Sequence, residues 1–281
     1  MPTWDEAAVA AAAARLRLAV DARRRLGQGA RLGRGPGASL EFHDHRAYEP
    51  GDDLRHLDWS VYARTDQLVL RRHRQEVSPR LELFVDCSLS MAVTPAKLAL
   101  ATALAALIAT LSEADGVRPR LWCCGASAVR HDAGWREVLR AARPAGAAGL
   151  DAECAALLPG SERVLISDGL SPAGGAAVIR RLGAGAGRIC LLQVMTPDEL
   201  APAAVGAARL EDIEGGHAEL VVDGAAVAAY SERLGRHQDG WRSALSGRGA
   251  GLVTLRSDEG LTRAVRRLVE AGVVEPRGNR A

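Results

Sequence analysis

The stretch "LELFVDCSLSM", residues 81–91, decides how this chain is read. An apolar run ends at Asp86, and hydroxyls follow at alternate positions, Ser88 and Ser90. A short apolar run closed by polar residues reads as a strand buried on both faces. Comparable runs lie at 118–124, 163–167, 188–194 and 251–256. Helical patterns lie between and after them, near 95–114, 135–142, 172–183, 225–246 and 258–271. This alternation predicts an α/β fold with a doubly wound, mainly parallel sheet covered by helices on both faces. The stretch 207–222 departs from it: two strand-like runs flank Glu214-Gly-Gly-His217 and read as an inserted β-hairpin.

The position of Asp86 matters as much as its neighbours. In an open doubly wound sheet, ligands bind beyond the carboxyl ends of the strands, where strand order reverses. Asp86 stands at one such end, and Asp168, in "RVLISDGLS" (163–171), at another. With the strand order 3-2-1-4-5-6, both aspartates face one crevice. Carboxylate and hydroxyl oxygens at alternate positions are the ligands Mg²⁺ or Mn²⁺ prefers. The competing reading is local, with Asp86 and Ser88 capping the following helix.

Other patterns point to less specific chemistry. Thr3-Trp-Asp-Glu6 has capping-box spacing and opens an Ala/Leu/Arg stretch that predicts a helix to about Leu26. Glycines at 27, 29, 33, 35 and 37 lack the Gly-Lys-Ser/Thr ending of a phosphate cradle and read as a turn. His43-x-His45 has zinc-compatible strand spacing but no assignable third ligand. In the 44–64 segment, Asp52, Asp53 and Asp58 alternate with Arg46, Arg55 and Arg64. Balanced charges of this kind read as a structural network around Tyr48 and Trp59. Ser88 and Ser90 lie in no nucleophile elbow, and no enzyme is expected.

Bulk composition excludes some classes. The chain has 281 residues, 48% hydrophobic and 25% charged, with a net charge of +2. That balance gives no global electrostatic case for nucleic acid or an anionic membrane. Of 36 basic residues, only Lys97 is a lysine. Five cysteines without zinc spacing predict a reducing compartment, the cytoplasm. No signal-peptide layout opens the chain, and no apolar run is expected to approach the roughly 20 residues of a membrane span.

"LFVDCSLSM" with "VLISDGL" resembles the von Willebrand factor A domain and its metal-ion-dependent adhesion site. The segment 33–76 resembles the signature of the family called domain of unknown function 58. The matching positions are Arg46, Tyr48, Gly51, Asp52, Asp53, Arg55, Asp58, Trp59, Ala63 and Arg64. The resemblance implies an N-terminal helix and signature arm over 1–78 and a von Willebrand A-like, Rossmann-like domain over 79–275. It also implies a site in which Asp86 anchors a divalent ion, Ser88 and Ser90 coordinate it, and Asp168 holds a ligating water. The full form of that site adds a threonine; residues 143–153, the matching region here, contain no Ser or Thr.

The expected function is therefore a non-enzymatic interaction module, an adaptor for a MoxR-type AAA+ ATPase, docking a partner carboxylate on bound Mg²⁺ or Mn²⁺. Two other readings fit the same residues. One is a metal-free scaffold with a degenerate site. The other is a metal-dependent hydrolase using Asp52, Asp53 and Asp58.

Overall fold

Each apolar run read as a strand forms one, and shorter strands join them. In this computed structural model, the described residues are 4–19, 40–50, 52–75, 80–211, 213, 217–248 and 251–277. The strands are β1 (Leu16–Leu18), β2 (Leu40–Ala47), β3 (Val69–Gln75), β4 (Leu81–Asp86), β5 (Pro119–Cys124) and β6 (Ala128–His131). They continue with β7 (Glu162–Ser167), β8 (Arg188–Met195), β9 (Gly206–Glu211), β10 (His217–Val222), β11 (Gly251–Arg256) and β12 (Val274–Pro276). The helices are α1 (Glu6–Ala13), α2 (Trp59–Thr65), α3 (Pro95–Ala114) and α4 (Trp135–Ala141). After them come α5 (Gly174–Leu182), α6 (Pro197–Leu200), α7 (Gly224–Leu245) and α8 (Gly260–Glu270).

The main sheet runs β11-β8-β7-β4-β5-β6. All its pairs are parallel except β5 with β6, the short edge strand that the sequence does not mark. Counted from β4 in chain order, this is 3-2-1-4-5-6, and the order reverses between β4 and β7. The period of two along β4 builds two cores. Leu81, Leu83 and Val85 face one, packed with Leu104 and Ile108 of α3 and Leu268 of α8. Phe84 faces the other, its ring stacked on Trp122 with centroids 5.9 Å apart. Each such side chain contributes about 1.5–3 kcal/mol by leaving water.

Pro95 opens α3, and the Thr94 side chain caps the Lys97 amide. This helix corrects one expectation: an 18-residue window of it reaches a mean hydropathy of 1.6, long and apolar enough to cross a membrane. In the fold 78% of that window is buried, as in the core helix of a folded unit. The second core is closed by α5 against α7. There Trp241 lies over Gly175, where an added Cβ would stand 2.6 Å from the ring. Gly175→Ala should therefore cost about 1–3 kcal/mol in urea unfolding. A variant within a few tenths of wild type would show that the ring shifts freely.

The chain divides into two units, Met1–Ala19 with Pro79–Ala281, and Val20–Ser78. Residues 4–19, read as the start of the arm, thus belong with the sheet. The helix is also shorter than its composition predicts. Asp5 caps α1 through Ala7 N and Ala8 N, the helix ends at Ala13, and Leu16-Arg17-Leu18 pairs antiparallel with β12. Thr3 and the 27–37 glycines lie outside the described residues. The inserted hairpin is β9 paired with β10; its Glu214-Gly-Gly turn is likewise outside them.

In the other unit, β2 and β3 form an antiparallel pair with an irregularity between Phe42 and Asp44. Asp58 caps α2 by accepting from Ser60 N (3.0 Å), Ser60 Oγ (2.6 Å) and Val61 N (3.2 Å).

Candidate functional site

Strand β4 delivers Asp86, and β7 delivers Asp168, to the carboxyl-end crest on either side of the switch point. Asp86 Oδ1 accepts from Ser88 N (2.9 Å) and Ser88 Oγ (2.6 Å), and its Oδ2 accepts from Ser167 Oγ (2.6 Å). Ser88 Oγ and Ser90 Oγ are 3.0 Å apart. Asp168 Oδ1 accepts from Leu170 N (2.9 Å). Its other oxygen, Oδ2, accepts from Lys97 Nζ at 2.9 Å.

Lys97, Glu199, Ser167 and Gly149 are the site residues that the motif does not reveal. The Lys97 ammonium also donates to Ser90 O (3.0 Å) and to Glu199 Oε1 (2.6 Å). Glu199 is held by a capping box: its Oε2 accepts from Thr196 N, and Thr196 Oγ1 accepts from Glu199 N. Gly149 presses its backbone on Asp86, so that an added Cβ would stand 2.8 Å from Oδ2. Asp151, in the loop expected to supply a threonine, instead accepts from Ser171 Oγ at 2.8 and 2.7 Å. One signal for Lys97 was present in the sequence, since it is the chain's single lysine.

The centre of the cluster is buried, while Ser90 and Glu199 at its margin are half-buried. Asp86, Ser88, Lys97 and Asp168 are all between 0 and 3% exposed. Burial, and secondly the Asp168 carboxylate, push the Asp86 carboxyl up to about 6, against the opposing hydrogen bonds from Ser167 and Ser88. Around it, Gln193 Nε2 donates to Asp168 O, while His237 Nε2 and Trp241 Nε1 lie 2.6 and 2.9 Å from Gly169 O.

This donor set departs from what a divalent ion requires. The Ser88 and Ser90 hydroxyls converge with the Asp86 carboxylate, but the 143–153 loop supplies no hydroxyl, its Gly149 backbone lies against Asp86, and the Ser167 hydroxyl already occupies Asp86 Oδ2. The second aspartate is already paired with an internal cation. Among the described residues, no group of three or more His, Cys, Asp or Glu is placed to hold a metal.

The arm residues spend their charges locally. Arg46 pairs with Asp52 at 2.7 Å, and Asp52 also accepts from Glu49 N. The Glu49 amide first, and then Arg46, hold the Asp52 carboxyl below its ordinary value. Arg55 pairs with Asp53 at 2.7 Å. Arg64 Nε donates to Ser60 O, and Tyr48 N to Leu68 O. Trp59, read as a centre of this network, stands 60% exposed with Tyr62 edge-on to it. Gly51 lies outside the described residues, as do the side chains of His43 and His45.

Fold and site together define an α/β protein with a mainly parallel six-stranded sheet and a buried polar cluster at the switch point of its crest. The chain belongs to the family described as protein of unknown function DUF58, whose model matches residues 44–239. Uncharacterised proteins of Mycobacterium bovis and of two Mycobacterium tuberculosis strains are each 30% identical to it over 250 residues. Those matches cover 82% of this chain and 78% of each relative. Among solved structures, the conserved hypothetical protein BatB from Bacteroides thetaiotaomicron is 14% identical, with a TM-score of 0.37 over 69% of this chain and 98% of its own. An aerotolerance-related membrane protein from Bacteroides fragilis, with multiple mutations to serines, is 15% identical. Its TM-score is 0.34, over 68% of this chain and 100% of its own. At those scores neither likeness bears on function.

Proposed function

We propose that this chain is a non-enzymatic protein-interaction module with a von Willebrand A-like fold that docks a partner on the crest of its sheet. The partner proposed is a MoxR-type AAA+ ATPase or that machine's substrate. The observation that carries the reading is a clamp on three loops. One ammonium, Lys97 Nζ, bonds Ser90 O after β4, Asp168 after β7 and Glu199 after β8. Loops held this way have little freedom left to lose on binding, and such preorganisation favours recognition. Val93 and Leu170 stand 47% and 42% exposed on two of those loops, ready to meet a partner's apolar surface. The five cysteines are free thiols, which suits the cytoplasm proposed for the chain.

A second reading, recognition through bound Mg²⁺ or Mn²⁺, is favoured by the 3.0 Å approach of the Ser88 and Ser90 hydroxyls. In that form Ser88 and Ser90 would hold the ion with Asp86 beside them, and a partner carboxylate would complete its shell.

The docking reading is tested by titrating a purified MoxR-type AAA+ ATPase against wild type, Leu170→Glu, Val93→Glu and Arg64→Glu. A buried charge at the crest should weaken binding about tenfold or more. The arm variant should bind as wild type does. Full affinity in both Leu170→Glu and Val93→Glu would rule the crest out as the docking face.

A further inference from the structure

We propose that Lys97 is the resident cation of the crest, paired with Asp168 beside the place where a von Willebrand-type adhesion site would hold a divalent ion, so that the site works without metal. This rests on the crest being the docking face, and specifies how that face is charged.

Helix physics alone would not place a lysine here. Lys97 is the third residue of α3. In the first turn the helix dipole disfavours a cation, and burial of an ammonium is costly unless every proton finds an acceptor. An ammonium has three protons, and here the acceptors are three: Ser90 O, Asp168 Oδ2 and Glu199 Oε1, at 3.0, 2.9 and 2.6 Å. Two of them are carboxylates, so the charge is compensated within the cluster.

The acceptors belong to three separate segments that follow β4, β7 and β8, the last of them the short helix α6. Gathering oxygens from separate loops around one positive centre is the structural task of a bound ion, and Lys97 performs it from within the chain. In the 143–153 loop, where the full site would place a threonine, Gly149 lies so close to Asp86 that residue 149 has no room for a side chain. Asp86 has a donor on each of its oxygens. A divalent ion reaching Asp168 through water would share that carboxylate with the ammonium, and the two cations would repel. Partner recognition therefore uses the surface of the clamped loops and is insensitive to chelators.

The test is calorimetric titration of the full chain with MgCl₂ and MnCl₂, with thermal midpoints measured with and without each ion. Wild type should show no saturable binding and no shift in midpoint. Lys97→Met leaves two carboxylates without their cation; its midpoint at neutral pH should fall by roughly 10 °C and recover in part with Mn²⁺. If that variant does not fold, wild type and Lys97→Arg, which keeps the charge, carry the test, and neither should bind the ions. Saturable binding by wild type that is lost in Asp86→Asn would overturn the proposal, as would a Lys97→Met protein as stable as wild type. Metal binding by wild type would leave docking on the crest untouched, because that reading is decided by Leu170→Glu and Val93→Glu.

Discussion

Arg163→Met should lower the unfolding free energy by about 3 kcal/mol, the low end of the cost of breaking a buried ion pair, because Glu82 keeps a second cation, Arg120, at 3.7 Å. Arg163 on β7 and Glu82 on β4 lie 3.1 Å apart, side by side on the face that carries the second core, and both are buried. Glu82 also accepts from Ser161 Oγ and Leu158 N. The guanidinium also serves the carbonyls of Leu158, Leu182 and Ala184. Truncating the arginine therefore takes one of two cations from the carboxylate and the guanidinium donors from the Leu182 and Ala184 carbonyls, while the Leu158 carbonyl keeps the Ser161 hydroxyl. The double variant Glu82→Met/Arg163→Met should recover part of the loss, because the carboxylate no longer needs a partner whereas the Leu182 and Ala184 carbonyls still lack the guanidinium. Urea unfolding of the two variants decides it. A single variant within 1 kcal/mol of wild type would mean that water reaches Glu82 and the pair is not buried in solution.

Asp86→Asn should alter the pH dependence of stability by about 3 kcal/mol. The folded carboxyl is pushed up to about 6 from an ordinary value of 3.8, chiefly by burial. Every tenfold change in proton affinity is worth about 1.4 kcal/mol. The direction follows from linkage. Below pH 4 the group is protonated in both states and costs nothing. Between about 4 and 6 the unfolded chain releases the proton while the folded one keeps it, so stability falls as pH rises. Above 6 the penalty is complete and constant. Asparagine keeps an acceptor for Ser88 and carries no charge, so the variant should gain on wild type by that amount between pH 4 and pH 7. Denaturant titrations across this range measure the difference, and a difference that stays flat with pH would refute the assignment. Retaining a charge at this cost is what a site selected for something other than stability would do.

The parallel strands were legible because strands buried on both faces must be apolar throughout, and β4 is buried at every position. The edges were harder. "AVRH" at 128–131 is short, lies at the margin of the sheet and has no apolar period, so only its pairing with β5 makes it a strand. Leu16-Arg17-Leu18 satisfies a helical Ala/Leu/Arg composition as well as an alternating one. Its pairing with β12, about 258 residues away, decides between them. In the arm, the alternation of charges could be read from sequence, whereas the assignment of Asp52 to Arg46, Asp53 to Arg55 and Asp58 to a helix cap could not.

The sequence by itself determined the strand ends at which Asp86 and Asp168 stand, because apolar runs stop where carboxylates begin. It also determined that the 143–153 loop carries no Ser or Thr. Only the tertiary structure decided what neutralises those carboxylates. Lys97 and Glu199 are separated from Asp168 by 71 and 31 residues, and no local period links them; what brings them together is the reversal of strand order between β4 and β7. Charge balance in a buried site is a property of the space around it, and that space exists only once the loops at the ends of β4, β7 and β8 have met.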